Sequence, residues 1–328
     1  MIDQNRESLA ISFDDVVAAS RRIAGYVHRT PVLTSRRLNA ILDAQVFFKC
    51  ENLQRIGAFK ARGAHNAVLS LDDERAAAGV VTHSSGNHAA ALALAASSRG
   101  STAAIVMPEN APAAKVMSVR RLGGEVHFCA PTIAAREAAA AGLVEERGAT
   151  LVHPYNDPLV IAGQGTAAME LIEDYPALDA VMAPVGGGGL MAGTATAARA
   201  MAPSIRILAT EPAQADDAWR SWSGGTLDPG DPPDTIADGL RTTLGDLNLP
   251  ILRALLDDFA TVSEQAIVEA MRLVWEIMKI VIEPSSAVPV AALLERKFDL
   301  RDAKVGVILT GGNVDLGLLP WQRAPESR

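Results

Sequence analysis

The chain has 328 residues, with 30 Lys and Arg against 38 Asp and Glu, a formal net charge of −8; 49% of its residues are hydrophobic and 21% charged. This composition supports a large core and excludes a disordered chain, and an acidic balance without clustered Lys and Arg argues against a nucleic-acid partner. No apolar run reaches the roughly 18 residues of a membrane span, the first 20 residues lack the basic and apolar regions of a secretory signal, and Cys50 and Cys129 make no disulfide framework, so a cytoplasmic protein without a membrane partner is expected.

Strands are predicted at residues 46–50, 79–83, 103–107, 125–129, 150–152, 180–184, 206–210 and 305–309. Ala-rich helices are predicted between them at 88–98, 113–122, 133–147, 164–175 and 190–201. Strand and helix taking turns read as βαβ units, an α/β fold with helices on both faces of parallel sheets. Eight strands fit two open sheets or one (β/α)8 barrel. Uneven spacing favours open sheets, as do Gly-rich turns at two unrelated places, near residues 86 and 188. Open sheets take ligands beyond the carboxyl ends of their strands, which fits two lobes facing one cleft. Residues 211–262 break the rhythm. They are dense in Asp and Pro (Asp228, Pro229, Asp231, Pro232, Pro233, Asp234) and are expected to form surface loop rather than core.

Only six lysines stand among the 30 basic residues: Lys49, Lys60, Lys115, Lys279, Lys297 and Lys304. Lys60, in Gly57-Ala58-Phe59-Lys60-Ala61-Arg62-Gly63-Ala64, follows an aromatic residue and lies between glycine turns. A partly desolvated pocket there lowers the amine's pKa and makes it a nucleophile; the other five are expected in solvent. Thr82-His83-Ser84-Ser85-Gly86-Asn87-His88 joins a strand to a helix, and its Ser, Asn and helix-start N–H groups form a nest for a carboxylate. His88 taken alone reads as a structural histidine. Val185-Gly186-Gly187-Gly188-Gly189-Leu190 exposes successive N–H groups ahead of a helix N-terminus, a site for a phosphate. Gly187-x-Gly189-x-x-Ala192 with Glu211 after the next strand also fits a dinucleotide site. Its mid-chain position, and the lack of a His/Asp pair for hydride chemistry, weigh against a nicotinamide oxidoreductase. Leu309-Thr310-Gly311-Gly312-Asn313 ends a strand with a hydroxyl and a tight turn.

Phe59-Lys60 with Arg62-Gly63-Ala64, Ser84-Ser85-Gly86-Asn87-His88, Gly186 to Gly189 and Thr310-Gly311-Gly312-Asn313 resemble the four signatures of fold-type II pyridoxal-phosphate enzymes. The branch is that of serine racemase, threonine dehydratase and threo-3-hydroxyaspartate dehydratase. The resemblance runs from Arg29 to Asp315 and includes Ala162-Gly163-Gln164-Gly165-Thr166 and Ile236-Ala237-Asp238-Gly239. It implies two open, parallel-rich sheets in a tryptophan synthase β-like architecture. Residues 72–154 would form a small domain, residues 1–71 and 155–328 a large cofactor-binding domain, with the active site between them in a homodimer.

The resemblance also assigns roles. Lys60 would carry the cofactor aldehyde, Phe59 would lie near the ring, and Gly186, Gly187, Gly188, Gly189 and Leu190 would hold the 5′-phosphate. Asn87 would bond the ring O3′ and Thr310 the pyridine nitrogen. A hydroxyl there does not force ring protonation as a carboxylate would. The electron sink is then moderate, favouring loss of a β-substituent or reprotonation over transamination. The substrate is a small amino acid whose carboxylate would sit on Ser84, Ser85, Asn87 and His88. Lys60 would remove the Cα proton, the β-hydroxyl would leave as water, and the product would hydrolyse to a 2-oxo acid and ammonia. Ser85, on the opposite ring face, would make racemisation the alternative activity. Arg136 would pair with a second carboxylate, favouring 3-hydroxyaspartate over L-serine or L-threonine, and Thr242 would face the same pocket. Ala58 and His153-Pro154-Tyr155-Asn156-Asp157-Pro158 resemble the hydroxyaspartate-dehydratase type. Glu211, the carbonyl of Ala215, and Asp217 resemble a divalent-cation site for Mg²⁺, or Ca²⁺ or Mn²⁺, which takes Glu211 out of its ribose role. Ile56, Leu122 and Ile277 depart from the ATP-site residues of animal serine racemases, so the resemblance does not extend to nucleotide activation.

Overall fold

The computed structural model describes residues 9–84 and 86–322. Among them are ten strands: β1 (Val32–Leu33), β2 (Gln45–Cys50), β3 (Val80–His83), β4 (Ala103–Pro108), β5 (Glu125–Cys129), β6 (Thr150–Leu151), β7 (Ala180–Pro184), β8 (Arg206–Pro212), β9 (Asp258–Val262) and β10 (Lys304–Leu309). They make two open sheets, ordered β1-β2-β10-β7-β8-β9 and β5-β4-β3-β6, so the fold is α/β and the single barrel is excluded. All pairs are parallel except β1 with β2. β10 lies in the middle of the larger sheet, with Val305 opposite both Val46 and Ala180. Period-two alternation sorts β7 onto two cores: Val181 and Ala183 join one cluster, Ala180 and Met182 the other. That is the signature of a strand covered on both faces.

The helices that carry the site meet through missing side chains. A Cβ on Gly63, in the helix Lys60–Leu69, would stand 2.4 Å from Gln164 Nε2. A Cβ on Gly163, in the helix Pro158–Asp174, would stand 2.6 Å from the Gly63 Cα. Two residues on, a Cβ on Gly165 would stand 2.7 Å from the carbonyl of Gly193 in the helix Gly189–Met201. The central helix Pro158–Asp174 thus fixes the lysine helix and the helix behind the glycine loop at once. Its own start is set by Asp157, whose Oδ1 accepts from Leu159 N (2.8 Å) and Val160 N (3.2 Å), with Pro158 at the first position.

Two expectations are corrected. Lys49 is not solvated: it is fully buried, and its Nζ lies 2.6 Å from Glu170 Oε2 and donates to Thr30 O at 2.8 Å. It belongs to a buried charge cluster in which Arg62 pairs with Glu51 (2.8 Å) and Glu170 (2.7 Å). An unpaired charge could not be buried at that depth. Residues 211–262 are not a surface loop. They hold the helices Asp217–Gly224 and Asn248–Leu255 and the edge strand β9. Leu244, Ile251, Leu252 and Phe259 enter the core beneath the glycine loop's helix.

Candidate active site

Lys60 opens its helix directly after two contacts with the end of β10. Ala58 bridges to Gly311, and Phe59 N donates to Thr310 O at 2.9 Å. The side chain runs into the cleft between the sheets, where Nζ donates to Pro154 O at 2.6 Å and lies 5.1 Å from the Phe59 ring centre. Desolvation pulls the amine down to about 8, while the nearby Glu283 carboxylate pulls it back up.

The glycine loop follows β7 and leads into the helix Gly189–Met201, whose first N–H groups have no intrahelical partner. Its shape is imposed from two sides. Gly187 O accepts from Asn248 Nδ2 (2.7 Å) and Gly245 N (3.1 Å). Gly188 sits at φ +91°, left-handed backbone open to glycine. The Tyr155 ring lies flush on the loop: a Cβ on Gly187 would be 2.2 Å from it. Leu190, the second residue of the helix, is buried in the core behind the loop. Thr242 borders the loop at Gly186, its Oγ1 3.1 Å from where a Cβ would be.

On the opposite wall, β3 gives way to the helix Asn87–Arg99, which has no side-chain cap. Ser84 Oγ accepts from Gly86 N at 3.3 Å. Asn87 Nδ2 donates to both Glu283 oxygens (3.0 and 3.1 Å), and Asn87 Oδ1 accepts from Asn313 Nδ2 at 2.9 Å. His88 is buried behind the nest with Nε2 3.2 Å from Val152 O; among the described residues Nδ1 has no partner. Burial and the Lys60 charge hold His88 well below its ordinary range, so it is neutral. Ser85 lies outside the described residues. Thr310 is buried, with Oγ1 3.0 Å from Ser286 Oγ, and Ser286 Oγ in turn donates to Gly311 O and accepts from Gly311 N, each at 2.8 Å.

Glu283 and Ser286 are absent from the sequence reading. Glu283 is 3% exposed, and burial raises its carboxyl to about 7 against the bonds from Asn87 and Asn313. The available signal was Glu283-Pro284-Ser285-Ser286, polar residues opening an otherwise apolar helix. Arg136 is half-buried; its Nε donates to Thr132 O at 3.4 Å, and its charge reaches His83 and Tyr155. Among the described residues it has no ion pair.

The expected cation ligands lie apart from Lys60, at the end of β8 and the helix after it. Glu211 is fully buried; Oε2 accepts from Trp219 N at 2.9 Å, and among the described residues Oε1 has no partner. Asp217 Oδ2 accepts from Leu244 N at 2.8 Å. Burial and the Asp217 charge raise Glu211 well above the carboxylate range, and burial raises Asp217 to about 6. Among the described residues no group of three His, Cys, Asp or Glu side chains could hold a metal. Two carboxylates with one orphaned oxygen and the backbone of Ala215 form a smaller donor set, all oxygen, that suits a hard cation.

Residues 23–311 match the family described as PALP, pyridoxal-phosphate dependent enzyme. The chain is similar to a serine racemase of Arabidopsis thaliana, 51% identical over 332 residues and covering 100% of both chains. It is equally similar to a beta-hydroxyaspartate dehydratase of Paracoccus denitrificans (strain Pd 1222), 51% identical over 310 residues, 94% of this chain and 98% of that one. The solved structure of maize serine racemase superposes with a TM-score of 0.92 at 48% identity, covering 94% of this chain and 95% of the other. Family match, identity and superposition agree with the cleft just described, and the chain belongs to the pyridoxal-phosphate dependent enzymes.

Proposed function

We propose that the chain removes water from a β-hydroxy amino acid, with 3-hydroxyaspartate preferred, and releases a 2-oxo acid and ammonia. The observation that carries this reading is the Lys60 amine, desolvated and held on the Pro154 carbonyl. It stands between a glycine cradle closed by Tyr155 and a carboxylate nest. The cradle fits a phosphate, the amine fits an aldehyde, and the Thr310 hydroxyl fits a ring nitrogen. Bound there, pyridoxal phosphate supplies an electron sink for charge developing at Cα. Lys60, poised near neutrality, takes the Cα proton and holds it close to the leaving hydroxyl. The nest from Ser84 to His88 binds the α-carboxylate through N–H groups at a helix start. Arg136, with no anionic partner among the described residues, takes the distal carboxylate.

The experiment is a comparison of kcat/KM for ammonia release from L-serine, L-threonine and the 3-hydroxyaspartate stereoisomers, in wild type and Arg136→Ala. The expected result is a preference for 3-hydroxyaspartate that the substitution lowers by about 10- to 100-fold, the worth of a charged hydrogen-bonded pair, with L-serine little changed. Equal losses on both substrates would remove Arg136 from substrate recognition. The similarity to serine racemases favours a second activity, exchange of the Cα proton between Lys60 and Ser85. The same assays run with chiral detection of D-serine test it.

The reading extends to Mg²⁺ at Glu211, Ala215 and Asp217, with Ca²⁺ or Mn²⁺ as substitutes, and to residues 72–154 as the small domain. It also extends to a cytoplasmic homodimer, which sedimentation velocity would resolve from a monomer.

A further inference from the structure

Three of the chain's six histidines, His83, His88 and His153, cluster together, and the Lys60 charge reaches two of them, His88 and His153. The reaction outlined above gives none to His153. Its ring is half-buried and edge-on to two neighbours, 5.5 Å from the His83 centre and 4.6 Å from the Tyr155 centre. Nδ1 accepts from two backbone N–H groups, Asn156 N at 3.0 Å and Tyr155 N at 3.4 Å. A nitrogen that accepts from N–H groups carries no proton itself, so in the neutral ring the proton is on Nε2. Among the described residues nothing bonds to Nε2. Burial, His83 and Lys60 depress this histidine to about 4, which keeps it neutral where Lys60 works.

The position of the ring says what that N–H meets. The next residue, Pro154, holds the Lys60 amine through its carbonyl. The residue after it, Tyr155, covers the glycine loop and lies within reach of Arg136's charge. His153 thus leads a three-residue segment that meets Lys60 through Pro154 and Arg136's charge through Tyr155. A substrate reaching from Lys60 to Arg136 would pass its Cβ substituent along this segment. We infer that His153 Nε2–H donates a hydrogen bond to the β-hydroxyl and stabilises the negative charge on that oxygen as it leaves. The step balances without a net proton from His153. Lys60 takes the proton from Cα, the Cα electron pair forms the Cα–Cβ double bond, and the Cβ–O bond breaks with its pair on oxygen. The proton on Lys60 then completes the water. This inference rests on the proposed dehydration and names the residue that serves its leaving group.

The test exploits leaving groups. The substrates are L-serine, 3-hydroxyaspartate and β-chloro-L-alanine, whose chloride departs without a proton, and the enzymes are wild type, His153→Phe and His153→Gln with bound cofactor. The expected loss in kcat for His153→Phe is about 10- to 100-fold on both hydroxy substrates, as for a hydrogen bond to developing charge. On β-chloro-L-alanine it stays within about 3-fold, and His153→Gln, which keeps an N–H donor, recovers part of the loss. Should His153→Phe not retain cofactor, the His153→Gln and His153→Leu pair gives the same split. Equal losses on all three substrates overturn the inference, as does a loss confined to 3-hydroxyaspartate, which makes His153 a carboxylate contact. Wild type that eliminates chloride but never water overturns the dehydration reading and the inference with it. Wild type that eliminates both, with a variant lowered uniformly, overturns the role of His153 alone.

Discussion

Glu283 shows how one buried carboxyl can serve two walls of a cleft. It belongs to the larger sheet's surroundings, yet it receives the Asn87 amide from the helix opposite and the Asn313 backbone N–H at 3.2 Å. Its folded-state pKa of about 7 stands above the ordinary 4.5 because burial penalises the charge. For a group raised in this way, the stabilisation is complete below pH 4.5 and is lost as the pH rises through about 7. Wild type is therefore expected to lose up to about 3 kcal/mol between pH 5 and 8 from this residue, and Glu283→Gln to lose little. Urea midpoints across that range measure the difference; equal slopes refute it. The desolvated setting of Lys60 was legible because the short aromatic, lysine and glycine motif resembles a family signature, while the spacing alone left it open. Glu283 was not, since an acid ahead of a proline-started helix ordinarily serves the helix N-terminus. Lys49 was misread for a related reason: the partner that permits its burial, Glu170, lies 121 residues away.

Between elements, the site depends on how closely backbones approach. The strap at residues 153–156 touches the lysine through Pro154, the glycine loop through Tyr155, and Leu247 N through Asn156 Oδ1 at 3.1 Å. Gly187→Ala forces its methyl into the Tyr155 ring. Overpacking of this kind costs about 1–3 kcal/mol, and the strap must move. The expected outcome is a lower Tm and at least a 10-fold weaker affinity for pyridoxal phosphate by fluorescence titration; unchanged affinity would mean that the ring simply turns aside. Strands and helices whose apolar pattern was unbroken were placed from sequence within a residue or two at most ends, as with β5 and β7. Within residues 211–262 the density of Asp and Pro at 228–234 masked two short helices. β9, an edge strand with only Phe259 and Val262 buried, showed little apolar period.

Across the whole molecule, the pair Glu211 and Asp217 connects to the cradle without touching it. Asp217 holds Leu244 N, the Leu244 side chain packs against Gly188, and Gly245 and Asn248 hold the Gly187 carbonyl. A cation shared by the two carboxylates, as proposed above, would offset their burial and fasten this segment. Mg²⁺ is expected to raise the Tm of wild type by several degrees, following the linkage between binding and unfolding, and to tighten cofactor binding. Glu211→Gln should show neither effect, and a shift that survives that substitution would place the ion elsewhere.

The central place of β10 in the larger sheet has a consequence for how the protein is made. Strands β3 to β6 are contiguous in the chain, so the smaller sheet can assemble as soon as residue 151 has cleared the ribosome. β2 and β7 cannot be joined until residues 304–309 arrive to lie between them. The same late segment ends in Thr310, whose carbonyl anchors the backbone beside Lys60. Domains form as units during synthesis, and pairings distant in sequence form late. A nascent chain therefore completes its smaller sheet before its reactive amine is set, and a product cut short before residue 304 lacks the strand that anchors the backbone beside Lys60.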